Sequence, residues 1–451
     1  MIGIVVVHYE DPVGLDRVLD TIGPREDARV VVADDGSTVP PALDDRPGVD
    51  LVTQADLGFR AAAARNLGAR HLLARAGETG ESLSAVLFLD GDTMPTPGYV
   101  DRLAREVEEL AADAPHGRVL AVGRRRYADL DGLDDAAVQR FLADPDPTRI
   151  LPDTTWLEEG YAATSDLRDA DDRSYRFVIS AVLAVTPALL EATGGFDESF
   201  VGYGGEDWEF AQRAWLAGAD LRHVPDAVAW HDGPDAAGRD EETADAGAGP
   251  TTTQAYSRKL AETLRLAATI TEPGARDPHL LWEYPDVVVT FHDGGLRPAD
   301  VLLTCADLLR GTDARVWLDD GRILTDGLWP GSDPRVRLGP PPPAALARAR
   351  FRVDVDAPIR LTSTLAAACE SATPGTPVHR PGLRVIRTRD HACGVPMPAP
   401  TPCDTVRTAR PDASLEAEWG WRSATTLPVA TDGWAPTSLP TADPCPTKER
   451  R

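Results

Sequence analysis

Two acidic clusters in this sequence combine residue types and spacing that could do chemistry. Residues 87–92 form an apolar run that ends in Asp90-Gly91-Asp92, and residues 204–208 read Gly204-Gly205-Glu206-Asp207-Trp208. Hard divalent cations take oxygen ligands and bind nucleotide phosphates with only one or two protein carboxylates. The first cluster therefore predicts a site for a metal-bound diphosphate, and the second offers a carboxylate that could act as a general base.

The elements around these clusters must bring the carboxylates together. Residues 2–7, 29–33 and 85–89 are short apolar runs typical of strands, and helix-like stretches separate them. Strands that alternate with helices predict a doubly wound α/β sheet, whose ligands bind outside the carboxyl ends of the strands. We further predict helices over 13–22, 60–76, 101–112, 208–216 and 254–270, an irregular acidic surface segment over 128–172, and a buried strand over 177–185.

In their order along the chain, the motifs resemble those of the family 2 inverting glycosyltransferases. The resemblance covers residues 1–235 and implies a GT-A fold, a mixed, mainly parallel sheet flanked by helices. A second set of motifs looks like the acceptor side of β-1,4-galactosyltransferases and polypeptide N-acetylgalactosaminyltransferases. The motifs are Val5-Val6-Val7-His8-Tyr9, Ala33-Asp34-Asp35-Gly36-Ser37, Gly58-Phe59-Arg60 with Ala64-Arg65-Asn66, Asp90-Gly91-Asp92, Gly194-Gly195-Phe196-Asp197, and Gly202 to Asp207.

The nucleotide-sugar side is expected to use residues at the ends of the first two strands. Asp35 is placed to accept a hydrogen bond from a nucleobase imide, and Tyr9 offers an aromatic face to the base, with Glu10 beside it. The run around Asp35 could equally be an ordinary turn. The resemblance implies that Arg65 supports the nucleotide pocket, and an exposed helix arginine is the alternative.

The predicted cofactor is Mn²⁺ or Mg²⁺, held by Asp92, with Asp90 directed at the ribose or at groups around the metal. The resemblance implies that His231, at the end of another apolar strand, completes the metal site. Imidazole can take part in a mixed oxygen and nitrogen ligand set. Asp232 could then orient the ring of His231.

Asp207 is the predicted general base, which would take the proton of the acceptor hydroxyl. Its place at a helix start favours the ionised form through the helix dipole. Glu206 is expected to hold acceptor hydroxyls, and Tyr203 and Trp208 to stack on an acceptor ring. Acidic capping of the helix is the alternative explanation for this cluster.

Composition narrows the classes of partner. The 451 residues carry a net charge of −26, which disfavours nucleic acid and anionic membranes as main partners. The five cysteines show no CxxC pair and are absent from the first 304 residues, which favours a reducing cytoplasm. No signal peptide or membrane-spanning run is recognisable, so we expect a cytoplasmic enzyme without a membrane span.

Four regions are predicted. Residues 1–235 form the GT-A domain, 236–282 a linker and helix, 283–400 a second α/β domain, and 401–451 a Pro/Thr-rich tail. The second domain echoes the first, because Thr290-Phe291-His292-Asp293 and Asp319-Asp320-Gly321 match motifs at the first two strand ends. We interpret it as a degenerate repeat that extends the acceptor cleft or pairs the chain into a homo-oligomer.

The sequence therefore predicts a metal-dependent inverting transferase that moves a hexose or N-acetylhexosamine from a UDP-sugar to an unidentified acceptor hydroxyl. A GDP- or dTDP-sugar donor and a non-catalytic nucleotide-sugar-binding module are the alternatives. A nucleotidyltransferase would need a Gly-rich, basic loop after the first strand, where Glu10-Asp11-Pro12 stands.

Overall fold

The computed structural model describes residues 1–202, 204–234, 252–327, 329 and 333–400, and in the helix that begins at Thr252 it describes side chains from Lys259 onward. Tyr203, residues 235–251 of the predicted linker, and the predicted tail 401–451 lie outside the described residues. Among the described residues, no helix combines the length and the apolar character that crossing a membrane requires.

The first half of the chain builds one mixed sheet with helices on both faces. Its strands are β1 (Ile2–His8), β2 (Ala28–Asp34), β3 (Val49–Thr53), β4 (Ala85–Asp90), β5 (Thr93–Pro95), β6 (Val119–Ala128), β7 (Val182–Val185) and β8 (Asp220–Asp232). The helices of this region and the helix that follows it are α1 (Pro12–Ile22), α2 (Ala61–Thr79), α3 (Tyr99–Asp113), α4 (Asp135–Ala143), α5 (Thr155–Ala163), α6 (Pro187–Thr193), α7 (Glu206–Leu216) and α8 (Thr252–Thr269).

The strand order is β3-β2-β1-β4-β7-β6-β8-β5. Strands β1 to β4 are mutually parallel, β7 runs antiparallel to both of its neighbours, β6 and β8 are parallel, and β5 is antiparallel to β8. The predicted GT-A type of fold, a mixed and mainly parallel sheet, is confirmed.

Packing explains why the Ala-rich segment forms the helix that covers β1. Small residues let α2 lie close to the sheet, and a Cβ on Gly68 would come within 2.5 Å of the Val5 side chain. The apolar residues of β4, and those of β1 except Val7, are buried, so the ends of these strands are held in fixed positions.

Two predictions for the middle of this region are wrong. The segment 128–172 contains the helices α4 and α5, whose apolar faces bury Val138, Phe141 and Leu157. The strand predicted over 177–185 is shorter, because a 3₁₀ turn occupies Ser174–Phe177 and pairing begins only at Val182.

The second half builds a smaller sheet with the order β11-β10-β9-β12-β14-β13. Its strands are β9 (Val287–Phe291), β10 (Ala314–Leu318), β11 (Val336–Leu338), β12 (Phe351–Val355), β13 (Val378–Arg380) and β14 (Leu383–Arg387). Its helices are α9 (Pro298–Leu309), α10 (Arg322–Thr325), α11 (Pro343–Arg348), α12 (Leu365–Glu370) and α13 (Thr388–Ala392).

This order, with its pattern of parallel and antiparallel neighbours, equals that of β3-β2-β1-β4-β7-β6. The repeat hypothesis stays a prediction, with a matching topology in its favour. When the strand registers of the two sheets are aligned through His8 and His292, Ala357 takes the position of Asp92. Nearby, Asp354 and Asp356 flank Arg384 at 3.5 and 3.4 Å. These two carboxylates are therefore engaged with an arginine.

Candidate active site

The carboxyl ends of β1, β2 and β4 meet at one edge of the sheet, where they border a cavity of about 280 Å³, called the donor cavity after the ligand predicted for it. Among the residues predicted for nucleotide-sugar and metal binding, six line this cavity and Glu10 does not. The donor cavity is lined by Val7, His8, Tyr9, Asp11, Asp35, Phe59, Ala61, Arg65, Asp90, Gly91, Asp92, Arg125 and His231.

Asp92 and His231 form a close pair in the wall of the donor cavity. Nε2 of His231 lies 3.3 Å from Oδ2 of Asp92, and the imidazole is buried whereas 44% of the Asp92 side chain is exposed. Burial acts to raise the pKa of Asp92, but the hydrogen bond and charge of His231 outweigh it and lower the pKa to about 2. The pair presents one oxygen and one nitrogen to the same point.

The ring of His231 is oriented by a different group from the one we predicted. Its Nδ1 lies 3.2 Å from the carbonyl oxygen of Gly233. Asp232 instead accepts a hydrogen bond from the Leu130 backbone, so its predicted role in orienting the ring is wrong. The contact of Nδ1 with this carbonyl holds the ring so that Nε2 faces Asp92.

Arg65 connects the donor cavity to the second acidic cluster. Its Nη2 donates to Oδ1 of Asp90 at 2.8 Å, and its Nη1 donates to Oε1 of Glu206 at 3.1 Å. The side chain is only 3% exposed, and the guanidinium lies 5.5 Å from the centre of the Phe196 ring. The alternative of an exposed helix arginine is therefore excluded.

A second cavity of about 210 Å³, the acceptor cavity, adjoins the first and shares Phe59, Arg65, Asp90 and Arg125 with it. Its wall includes Asp207 and further residues from α5, α7 and α8. The residues that line only the acceptor cavity are Tyr127, Thr154, Trp156, Leu157, Ile179, Ser180, Ala181, Gly204, Gly205, Glu206, Asp207, Trp208, Lys259 and Glu262.

Asp207 is the second residue of α7, and its Oδ1 accepts the backbone N–H of Trp208 at 2.8 Å. Burial and the neighbouring charge of Glu206 raise the pKa of Asp207 to about 7. The expectation that the helix start would hold this carboxyl at a low pKa is therefore wrong, because desolvation in the cleft outweighs the helix dipole. A carboxyl with this pKa can take up and release a proton near neutral pH.

The predicted acceptor residues beside Asp207 have defined partners. Glu206 is buried and paired with Arg65. Trp208 is half-buried, and its ring packs edge-on against Trp156 at 6.2 Å and Tyr175 at 6.1 Å.

At the end of the donor cavity near Tyr9, both carboxylate oxygens of Asp35 have protein partners. Oδ1 accepts from the side-chain amide of Gln54 at 2.5 Å, and Oδ2 accepts from the backbone of Arg60 at 2.7 Å. Burial raises the pKa of Asp35. The Glu10 carboxylate accepts the backbone N–H of Thr38 at 2.6 Å, so Glu10 fixes the turn beside the half-exposed Tyr9.

Comparisons with known proteins agree with this arrangement. Residues 4–155 match the model described as glycosyl transferase family 2, and residues 168–230 match the model described as the N-terminal domain of galactosyltransferase. The resemblance to family 2 glycosyltransferases is confirmed. The matched segments resemble glycosyltransferases, which agrees with the predicted class of enzyme.

Individual relatives of this glycosyltransferase domain differ in length and in name. A chondroitin synthase of Pasteurella multocida (strain Pm70) is 29% identical over 48% of this chain and 22% of its own length. A validoxylamine A glucosyltransferase of Streptomyces hygroscopicus subsp. jinggangensis is 31% identical over 49% of this chain and 53% of its own. The crystal structure of GalNAc-T7 with UDP, GalNAc and Mn²⁺ aligns over 51% of this chain and 44% of its own, at 17% identity and a TM-score of 0.34. The chain thus spans about a fifth to a half of the length of these relatives.

Arg125 is a residue of this site that sequence reasoning missed. Arg125 lines both cavities, and its charge acts to lower the pKa values of Asp92 and Asp207. The basic run at the end of β6 was a visible signal. A register shift between Gly123 and Arg124 interrupts the alternation of side chains there, so the sequence could not say which arginine faces the site.

Proposed function

We propose that the chain is a metal-dependent inverting glycosyltransferase that moves a hexose or N-acetylhexosamine from a UDP-sugar to an acceptor hydroxyl. One observation carries this proposal: the Asp92–His231 pair and the Asp207 carboxylate line two adjoining cavities that share Arg65. The relatives include synthases and glucosyltransferases, which supports transfer of a sugar as the type of reaction.

The residues of the donor cavity fit a divalent cation with few protein ligands. Among the described residues, no group of three or more His, Cys, Asp or Glu side chains could hold a metal ion. Asp92 Oδ2 and His231 Nε2 would supply two ligands, and donor phosphates would supply others, as is usual for Mg²⁺ bound with a nucleotide. When bound, the cation would neutralise charge on the leaving diphosphate.

Asp207 would act on the acceptor. Its carboxylate takes the proton of the acceptor hydroxyl while the oxygen forms a bond to the anomeric carbon of the donor sugar. The bond from that carbon to the diphosphate breaks, and the nucleoside diphosphate leaves from the opposite face. The configuration at the anomeric carbon is inverted, and the Asp207 proton passes to solvent when the product leaves.

The charges around Asp207 suit this role. Arg65 holds Glu206 and Asp90 in place, so both neighbouring carboxylates are engaged by one buried cation. Asp207 has no such ion pair among the described residues, which supports Asp207 rather than Glu206 as the base.

The residues at the nucleoside end of the donor cavity fit a pyrimidine nucleoside diphosphate. Each Asp35 oxygen holds one protein donor and keeps a further lone pair for a base N–H. Tyr9 is half-exposed beside it and can cover the face of the base. A dTDP-sugar presents the same imide, so the donor panel described next includes it together with a GDP-sugar.

The decisive experiment measures nucleotide release from UDP-, dTDP- and GDP-sugars with and without Mn²⁺. The wild type is expected to release UDP only with the metal, and Asp207→Asn is expected to lose transfer while it still binds UDP. Asp226→Asn, a change of the same type at an exposed position of β8, serves as the control. Metal-independent release, or full activity of Asp207→Asn, would overturn the proposed roles. Binding of a donor without any release would identify a non-catalytic module.

A further inference from the structure

One wall of the acceptor cavity comes from a helix that neither family model covers. The two matched segments end at residue 230, whereas α8 begins at Thr252. Lys259 and Glu262 of α8 line the acceptor cavity together with Asp207 and Trp208. The helix therefore adds two charged side chains to a site whose other lining residues, apart from Trp156 and Leu157, belong to the matched segments.

Direct contacts fix α8 on the turn that precedes the predicted base. Arg265 donates from Nη1 to the carbonyl oxygen of Val201 at 2.7 Å, and its guanidinium lies 5.4 Å from the centre of the Phe200 ring. Leu266 is buried, and a Cβ on Gly205 would come within 3.0 Å of its side chain. The helix is thus packed against the residues immediately before α7.

Glu262 lies against the turn that precedes Asp207. A Cβ on Gly204 would be 3.0 Å from its carboxyl carbon, so the carboxylate rests on the Gly204-Gly205 turn. The Glu262 side chain is 18% exposed, and Lys259 Nζ lies 3.1 Å from Oε2 at the rim. One pair with an exposed lysine leaves most of the hydrogen-bond capacity of the carboxylate open to the cavity.

An aromatic surface complements this carboxylate. Trp156 of α5 lines the same cavity, and 48% of its surface is exposed although it is a large apolar residue. A solvent-exposed tryptophan in a cavity that also contains a carboxylate is chemically suited to a sugar ring, which has an apolar face and a rim of hydroxyl donors.

We propose that Glu262 is a specificity-determining residue that accepts hydrogen bonds from hydroxyls of the acceptor ring, while Trp156 contacts the apolar face of that ring. The inference rests on the proposed glycosyl transfer and names the acceptor class: a compound with a hydroxylated ring next to the reacting hydroxyl. The alternative is that Lys259 and Glu262 form an ordinary helix-surface pair, three residues apart and without a ligand.

The test uses p-nitrophenyl glycosides of glucose, galactose, N-acetylglucosamine and glucuronic acid as acceptor probes. For the probe that the wild type uses best, Glu262→Gln is expected to raise the acceptor KM by about tenfold, as the loss of a charge-assisted hydrogen bond implies. The KM of the donor and the release of UDP without an acceptor should keep their wild-type values. Quenching of tryptophan fluorescence by the same probe, without donor, gives its Kd independently of turnover.

Glu191→Gln is the matched control, since Glu191 is exposed on α6 and lines neither cavity. It should change neither the acceptor KM nor the Kd. Thermal unfolding of each variant establishes that the fold is intact. An unchanged Kd and acceptor KM in Glu262→Gln would overturn the proposal, as would a wild type that binds none of the four probes. A wild type that binds a probe but releases no nucleotide from any donor would instead refute the proposed transfer reaction.

Discussion

Asp92 and His231 approach within 3.3 Å because β5 and β8 pair in antiparallel register. Thr93 is the partner of His231 in this register, and the Asp232 backbone N–H lies 3.3 Å from the Asp92 carbonyl oxygen. The three-residue strand β5 thus returns the chain from the end of β4 onto the edge of the sheet. Backbone pairing, rather than a flexible loop, holds the two side chains together.

We predict that His231→Ala will abolish the stimulation of donor binding by Mn²⁺. The substitution removes the one nitrogen ligand next to Asp92, and the carboxylate alone would hold the cation weakly. Isothermal titration of UDP in the presence and absence of Mn²⁺ measures this directly. The expected result is a loss of about 10- to 100-fold in UDP affinity that is seen only with the metal.

His71→Ala is the control for the histidine substitution. His71 is half-buried on α2 and pairs with Asp50 at 2.7 Å, away from both cavities. It should bind UDP and Mn²⁺ as the wild type does. Equal metal dependence in His231→Ala and the wild type would rule out His231 as a ligand.

The pKa of Asp207 predicts a rise of activity through neutral pH. Burial and the charge of Glu206 raise this pKa to about 7, and a general base must be ionised to act. Below the pKa the carboxyl is protonated and transfer is slow, and above it transfer reaches a plateau. Measurement of kcat/KM between about pH 5.5 and 9 follows this rise in activity.

Glu206→Gln tests the cause of that pKa. Removal of the neighbouring negative charge should lower the pKa of Asp207, so the rise in activity moves to lower pH. If kcat/KM rose at the same pH in both enzymes, a group other than Asp207 would be responsible for the rise. Residual activity of Glu206→Gln is needed only to locate the midpoint.

The sequence carried enough information to place the donor side of the site. Alternation of apolar runs with helices fixes which strand ends share an edge, and Asp35 and Asp90 follow buried strands directly. Both residues therefore reach the donor cavity, as predicted. The pairing of Asp92 with His231 needed the resemblance as well, because no local pattern reveals that β8 returns beside β5.

The acceptor side depended on contacts that no local pattern encodes. Trp156 lies on a helix within a segment that looks irregular and acidic, and Glu262 comes from a helix beyond the recognised motifs. Glu262 rests on the Gly204-Gly205 turn, and Trp156 packs against Trp208. The raised pKa of Asp207 likewise comes from burial and from the neighbouring Glu206, and burial depends on tertiary packing.

The hydrogen bonds of Asp172 link the first half of the chain to the second sheet, and their contribution to stability can be tested. Asp172 Oδ1 accepts from the Trp215 indole at 2.8 Å and from Arg387 at 2.5 Å, while Oδ2 accepts from Arg350 at 3.1 Å. Asp172→Asn should lower the free energy of unfolding by about 2–4 kcal/mol, because two arginines lose a charged partner. Urea denaturation measures it. Asp169→Asn, an exposed neighbour, should unfold as the wild type does, and equal stability of the two variants would contradict the prediction.

Arg65 offers the strictest test of how the two cavities are joined, because one buried guanidinium holds Asp90 of the donor side and Glu206 of the acceptor side. Arg65→Lys keeps the charge but cannot reach both carboxylates with a fork of parallel N–H groups. We expect a loss of about 3 kcal/mol in the free energy of unfolding and a large loss of transfer, since one carboxylate is left buried without its partner. Urea denaturation and UDP release measure the two effects.

Arg70→Lys on the same helix is the matched control, with a side chain that is 59% exposed and paired with Glu198. An exposed pair of this kind contributes at most about 1 kcal/mol, so this variant should remain near the wild type in stability and activity. If Arg65→Lys were as stable and as active as Arg70→Lys, the bridge through Arg65 would have no part in assembling the site. The donor and acceptor cavities would then be held together by the packing of α2 against the sheet alone.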